Sequence, residues 1–192
     1  MNLETFLSND PGEGNATRGL ISGLIGGLAG TAVKSTIERF LDVRKVDQKS
    51  AQMKIIDDLS VKITGTPVKT DNEGIAEQLV NIPLGVSVGA AYGYGKRDQV
   101  DTNLMDGVLL GATTWASTHE TTLPLVGLEK SPEDIPIRTQ ISELFSHVLF
   151  GVTTEIVRSY VNERLLEREQ SKSMRHEEEE EYDDRGYEYH EY

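Results

Sequence analysis

The feature that most limits how this chain can fold is glycine placed at helical intervals. Residues 19–33 read GLISGLIGGLAGTAV without a charge, and Gly19, Gly23, Gly27 (or Gly26) and Gly30 share one stripe that runs on into Lys34 and Glu38. Residues 79–95 are uncharged as well, and Glu77, Asn81, Gly85, Gly89 and Gly93 recur at steps of four. A glycine inside a helix costs about 1 kcal/mol against alanine. Rows of them need a compensating gain. Small residues at i, i+4 supply it by letting helix backbones approach closely, the usual packing device of helices in lipid. A tightly packed soluble core is the alternative use of the same pattern.

The remaining chain reads as two more long helices, one short one and two polar ends. Residues 1–15, with Pro11, Gly12 and Gly14, form an N-terminal loop. Residues 16–168 form the helical domain, with long helices at about 18–41, 76–95, 103–125 and 140–164. Between the first two, Met53, Ile56, Leu59 and Ile63 fall at helical spacing and mark a short amphipathic helix within residues 49–63. The third segment would carry Asp106, Thr113, Ser117 and Glu120 along one side, and the fourth Glu143, His147, Gly151, Glu155 (or Thr154) and Arg158. Residues 169–192 form an acidic tail, EEEEEYDD at 177–184, whose low-complexity composition predicts disorder. The fold class is all-α: about four Gly-rich helices in a membrane-spanning bundle, with the short helix and the tail as additions.

Composition excludes several functions. The net charge of −13 leaves no basic footprint for nucleic acid. The absence of cysteine removes disulfides, thiolate metal sites and thiol nucleophiles. No phosphate loop, nucleophile elbow or dinucleotide fingerprint occurs, and the glycines at 19–30 follow no strand. The expectation is therefore a non-enzyme without a cofactor.

Length alone does not settle whether these helices cross a membrane. A span needs about 20 largely apolar residues for a hydrocarbon core of about 30 Å. The uncharged part of the first helix covers about 22 Å. Those of the third and fourth, residues 107–119 and 144–154, are shorter. Mean hydropathy is −0.39, lowered by the polar tail and connections. In lipid each polar stripe must face the bundle interior, whereas in water it would face solvent.

The second half of the chain resembles the YagU-like family of small bacterial inner-membrane proteins of unresolved biochemical function. The resemblance rests on Trp115, His119, Pro124, Gly127-Leu128, Pro132, Asp134, Pro136, Ser142-Glu143, Phe145, His147 and Glu155-Ile156-Val157-Arg158, with the first helix up to Lys34 fitting more loosely. It implies a multi-pass protein of the bacterial inner membrane and brings no catalytic residues with it. The long polar region between the first two helices and the Tyr-rich acidic tail depart from the family's pattern. Four spans would put both termini on one side, with Lys96, Arg97, Arg164 and Arg168. The other side would hold Arg39, Arg44, Lys45, Lys49 and Lys54. The short connection around Lys96 and Arg97 makes that first side cytoplasmic.

Ionisable residues inside a membrane are costly unless paired, so they mark candidate sites. Here they are Lys34, Glu38, His119, Glu120, Glu143, His147, Glu155 and Arg158. Glu143 and His147 share a helix face, and an imidazole beside a carboxylate can pass a proton or hold a divalent ion. Pairing between helices is the commoner fate of such groups. Glu-x-x-x-His by itself is a weak metal motif. Trp115, Tyr92 and Tyr94 suit a membrane interface, and packing serves them equally. Three functions follow: proton or ion handling in pH or envelope-stress tolerance; a structural or assembly role with protein partners or a second copy; or a soluble or peripheral bundle. The bilayer itself is the first expected partner.

Overall fold

A computed structural model of the protein describes residues 11–41 and 50–187. Side chains are described for residues 15–40, 50–179 and 182. Residues 1–10 of the expected loop, residues 188–192 of the tail, and Arg44, Lys45 and Lys49 lie outside the described residues. Helices α1 (Pro11–Leu41), α2 (Ala51–Thr64), α3 (Glu73–Gly95), α4 (Leu104–Ser117) and α5 (Ile137–Tyr187) make up the fold, and no strand occurs among the described residues. α4 continues through a π-helical turn, Thr118–Thr122, into one last α-turn, Leu123–Leu125.

The glycines set the order of the helices. A Cβ added to Gly19 would lie 2.7 Å from the Gly93 carbonyl, and one on Gly89 would lie 2.5 Å from the Gly27 Cα. A second row on α1 faces elsewhere: Cβ atoms on Gly26 and Gly30 would each lie 2.6 Å from α5 carbonyls, those of Thr154 and Phe150. On α4, Gly107 and Gly111 meet the α5 backbone at Val152 and Val148, and Gly151 meets Gly107 and Gly111 in return. The lateral order is thus α3, α1, α5, α4, and the pairings run in opposite sequence directions, so neighbours are antiparallel. α2 is capped at Ser50, whose side chain accepts from the Met53 N–H, and ends on Gly65 in the left-handed conformation. It packs on α3 at the end where the α4–α5 loop lies, and Lys54 donates to the Leu128 carbonyl.

The interior is polar and the exterior apolar. Among the described residues, Ala51, Met53, Ala76 and Phe150 are the fully buried large or methyl-bearing apolar side chains. Arg18, Ser22, Thr31, Asn81, His119, Glu143, Ser146, His147, Thr154, Glu155, Arg158 and Asn162 are buried as well. Outside, α1 exposes Ile21, Leu24, Ile25 and Leu28, and α3 exposes Leu79, Ile82 and Leu84. Many interior hydroxyls are satisfied within their own helix: Thr31 donates to Gly27 O and Thr154 to Phe150 O.

One expectation is met only in part, and three need correction. By length and composition one helix among the described residues, residues Asn15–Phe40, is long and apolar enough to cross a membrane, so four spans do not follow from those criteria. The described part of the first helix already covers residues 11–15, inside the expected loop. The acidic tail continues α5 as helix to Tyr187. Glu, Arg, Lys, Gln and Met are strong helix formers, and pairs such as Arg164–Glu167 (3.0 Å) add local support. On α4, Thr113 and Ser117 are exposed, and the inward face is Gly107, Gly111 and His119. The hydroxyls bond back to carbonyls one turn earlier, Thr113 to Leu109, which lets them face outward without an unmet donor.

Candidate functional site

The expected site residues separate into three places. At one end of the bundle, α5 carries Glu155 and Arg158, both about fully buried, as a two-pronged ion pair: Nε to Oε2 at 2.8 Å and Nη2 to Oε1 at 2.9 Å. The carboxylate also accepts the Tyr92 hydroxyl (2.9 Å) and the Asn103 N–H (3.0 Å). Arg158 Nη1 donates to the Lys96 and Gln99 carbonyls, and Asn162 donates to those of Arg97 and Gln99. Arg18 of α1 closes the network through Asn162 Oδ1 (2.9 Å) and Glu169 (2.6 Å). Here charged side chains act as a clasp that holds the α3–α4 connection. Tyr92 therefore points inward rather than toward an interface, while Tyr94 is exposed with Arg97 over its ring.

At the other end, α1 places Lys34 and Glu38 one turn apart, paired at 2.8 Å, and Ser146 of α5 donates to Glu38 (3.1 Å). Beside them lies a third group. His119 sits on the π-helical turn of α4, where Thr121 and Thr122 donate to carbonyls five residues back, those of Ala116 and Ser117. Such turns commonly occur where a helix re-aims a side chain. The chain then reverses at Gly127, which is left-handed (φ 73°), with Val126 N–H on Thr122 O and Leu128 N–H on Leu123 O. A left-handed residue after a helix is normally glycine, because a Cβ is disfavoured there. That reversal returns Glu129 to His119: Nδ1 donates to Glu129 Oε2 at 2.9 Å, and Glu143 Oε2 of α5 is 3.6 Å from the same nitrogen.

His147 completes the group. Its Nδ1 donates to the Glu143 carbonyl at 2.8 Å, which leaves Nε2 with the lone pair, and its ring meets that of His119 edge-on with centroids 5.0 Å apart. The His119 and Glu143 side chains are each 3% exposed, and Glu129 is 16% exposed. A cavity of about 100 Å³ adjoins both imidazoles and is also lined by Lys34, Gln52, Asn81 and Thr118. The Gln52 side-chain oxygen is buried without a hydrogen-bond partner, as is the Trp115 indole N–H. Glu120, next to His119 in sequence, is half-buried and outside this cluster.

Glu129 escaped the sequence, because no helical periodicity reaches a loop residue. The available signal was Gly127 after the last apolar turn, which marks a chain reversal and makes the next polar residue a candidate for packing back. Tyr92, Arg18 and Asn162 escaped for a related reason: their partners are loop carbonyls and residues far along the chain.

The sequence profile of the DUF1440 family, described as protein of unknown function, matches residues 28–156, more than half of the chain. The matched stretch contains the whole His119, Glu129, Glu143 and His147 group. No curated protein and no solved structure matches the chain.

Proposed function

The chain belongs to the DUF1440 family, and we propose that it is a multi-pass protein of the bacterial inner membrane that handles protons or cations at its buried His–Glu cluster. We take the matched family to be the YagU-like one, on the residues quoted from 115 to 158.

One observation carries the membrane part. Between the exposed residues Arg138 and Glu163 on α5, the ionisable residues Glu143, His147, Glu155 and Arg158 are all buried, while Ile141, Phe145, Ile156 and Tyr160 are exposed. That stretch is about 37 Å long, enough for a hydrocarbon core of about 30 Å. A soluble helix is sorted the other way, with its apolar stripe inside. Soluble monomers rarely carry contiguous apolar patches beyond a few hundred Å², yet all four long helices expose Leu, Ile or Phe here. Lipid makes this sorting favourable, since apolar faces meet acyl chains and each ionisable group finds a partner inside.

The ion-handling part follows from the chemistry of the cluster. Histidine is the side chain whose charge changes nearest neutral pH. Here one imidazole is held between two carboxylates at the wall of a cavity. Such a group takes up a proton or cation and gives it back, and tolerance of acid or envelope stress is the expected setting.

Carbonate washing of membranes from cells making the full-length chain tests the first part. The protein should stay with the membrane, and recovery in the soluble wash would replace this reading with a soluble or peripheral bundle. For the second part, His119→Gln and Glu143→Gln variants that remain folded should lose pH-dependent growth protection. Unaltered protection in both would refute proton or ion handling at this site.

The acidic extension of α5 favours a second reading. Residues 170–179 are all exposed, and the run of Glu beyond them would suit a basic partner in an assembly role. Loss of co-purifying partners after removal of residues 171–192 would support it, and retention of the same partners would not.

A further inference from the structure

The geometry points to a binding site for a first-row divalent transition-metal ion, of which Zn(II) is the type, formed by His119, Glu129 and Glu143. This deepens the ion-handling reading above and rests on it, since it names the cation.

Three separate elements each bring one donor to the same point. His119 comes from the π-helical turn, Glu129 from the loop folded back at Gly127, and Glu143 from α5. Their ligand atoms all lie within 4.8 Å of one another. A metal with ligands at about 2.0–2.2 Å in tetrahedral array holds neighbouring ligand atoms about 3.4 Å apart. The two separations measured from His119 Nδ1, 2.9 and 3.6 Å, bracket that value. Little movement is needed for an ion to replace the proton on Nδ1.

The donor set selects the ion class. One imidazole with two carboxylates, and no thiolate anywhere in the chain, suits Zn(II) or Mn(II). Mg(II) and Ca(II) favour all-oxygen sites, so the imidazole discriminates against them. Two carboxylates and one neutral imidazole also match a dication in charge. His147 stands beside the site with its Nδ1 proton committed to the Glu143 carbonyl, so it steadies the segment of α5 that carries that ligand. A cavity touches both rings.

Bound metal takes the place of the proton on His119 Nδ1, so the ring binds as its Nε2–H tautomer. This proton–metal exchange separates a metal site from an ordinary buried ion pair, which would hold its proton and gain nothing from Zn(II).

The test uses the full-length chain in detergent or nanodiscs, stripped with a chelator and titrated with Zn(II), then with Co(II) as a visible-absorbing substitute. One Zn(II) should bind per chain with micromolar affinity or tighter, and Co(II) should give the visible absorption of a low-coordinate nitrogen–oxygen site. Glu129→Gln lies in a loop and should fold whatever His119 variants do. It should weaken Zn(II) binding on the order of tenfold or more, and Glu129→Asp should restore part of that loss. Absence of Zn(II) binding by the folded chain, unchanged affinity in Glu129→Gln, or equal competition by Mg(II) would each overturn the assignment. If Zn(II) fails to bind while the His119 variant still abolishes pH-dependent protection, the metal site falls and proton handling stands.

Discussion

Replacing Gly89 by alanine sets two effects of known sign against each other. Alanine is the better helix former by about 0.8–1.0 kcal/mol, so helix propensity alone predicts a more stable protein. The geometry predicts the opposite. A Cβ at Gly89 would lie 2.5 Å from the Gly27 Cα and 2.7 Å from the Gly27 nitrogen, where ordinary contact begins near 3.4 Å. Those are backbone atoms, so no rotamer change relieves the clash. α1 and α3 must part by nearly an ångström. A gap of that size forfeits about a quarter to a half of each dispersion contact across the interface, and overpacking of this kind costs about 1–3 kcal/mol. The net expectation for Gly89→Ala is a loss of up to about 2 kcal/mol, centred near about 1 kcal/mol. Gly74 in the first turn of the same helix is the internal control, because the nearest atom to its added Cβ is the Arg39 guanidinium at 3.9 Å. Gly74→Ala should be neutral or stabilising by up to about 1 kcal/mol. Thermal or denaturant unfolding of the purified protein in one detergent reads both. If Gly89→Ala proves as stable as the parent, the glycine row is not a packing device; equal destabilisation by the two variants would refute the argument as well.

Three further outcomes follow from the same geometry. Arg158→Met leaves Glu155 charged and buried against Tyr92, so it should cost about 3–5 kcal/mol, and adding Glu155→Gln should restore part of the loss; equal stability of the single and double variants in a denaturant series would contradict the ion pair. Gly127→Ala meets no neighbour but must adopt a left-handed conformation, at a cost of about 1–2 kcal/mol. Because Gly127 returns Glu129 to His119, that variant should also weaken the site, read as weaker Zn(II) binding by the full-length chain; unchanged binding counts against the role given to the turn. Removing residues 171–192 keeps Glu169 and its bond to Arg18, so bundle stability should change by no more than about 0.5 kcal/mol, and a large drop in melting temperature would show that the extension packs on the bundle.

The glycine rows were legible because their steps of four survive in sequence, and steps of four report a helix face. What a face meets is not encoded so directly. Gly26 and Gly27 were read as alternatives for one stripe, yet each belongs to a different interface, Gly27 to α3 and Gly26 to α5. On α4 the pattern misled, because Thr113 and Ser117 look like an inward polar stripe. Serine and threonine can satisfy themselves on their own helix, so their polarity does not fix which way they point. The fourth helix follows its pattern, since Glu, His and Arg carry more charge and more hydrogen-bonding groups than their own helix can meet, and Glu143, His147, Glu155 and Arg158 do share a buried face. The helical course of residues 169–187 was hidden by composition, where the charge that suggests disorder is carried by residues with high helix propensity.

Sequence also could not show that this one buried face serves two ends. Glu143 and Glu155 are twelve residues apart on α5, about 18 Å along the axis. The Glu155 end is closed: all three guanidinium nitrogens of Arg158 donate, and the Glu155 carboxylate accepts from Arg158, Tyr92 and Asn103. Each of these bonds is made away from solvent, so that end anchors the helices. The Glu143 end is built differently. Its imidazole is held by a loop residue as well as by α5, its π-turn interrupts the regular ladder, and a cavity reaches both histidines. Loops and π-turns rearrange at lower cost than the middle of a packed helix. The clasp fixes α5 in place, and the exchange of a proton or an ion that we propose belongs to the end where the chain is able to yield.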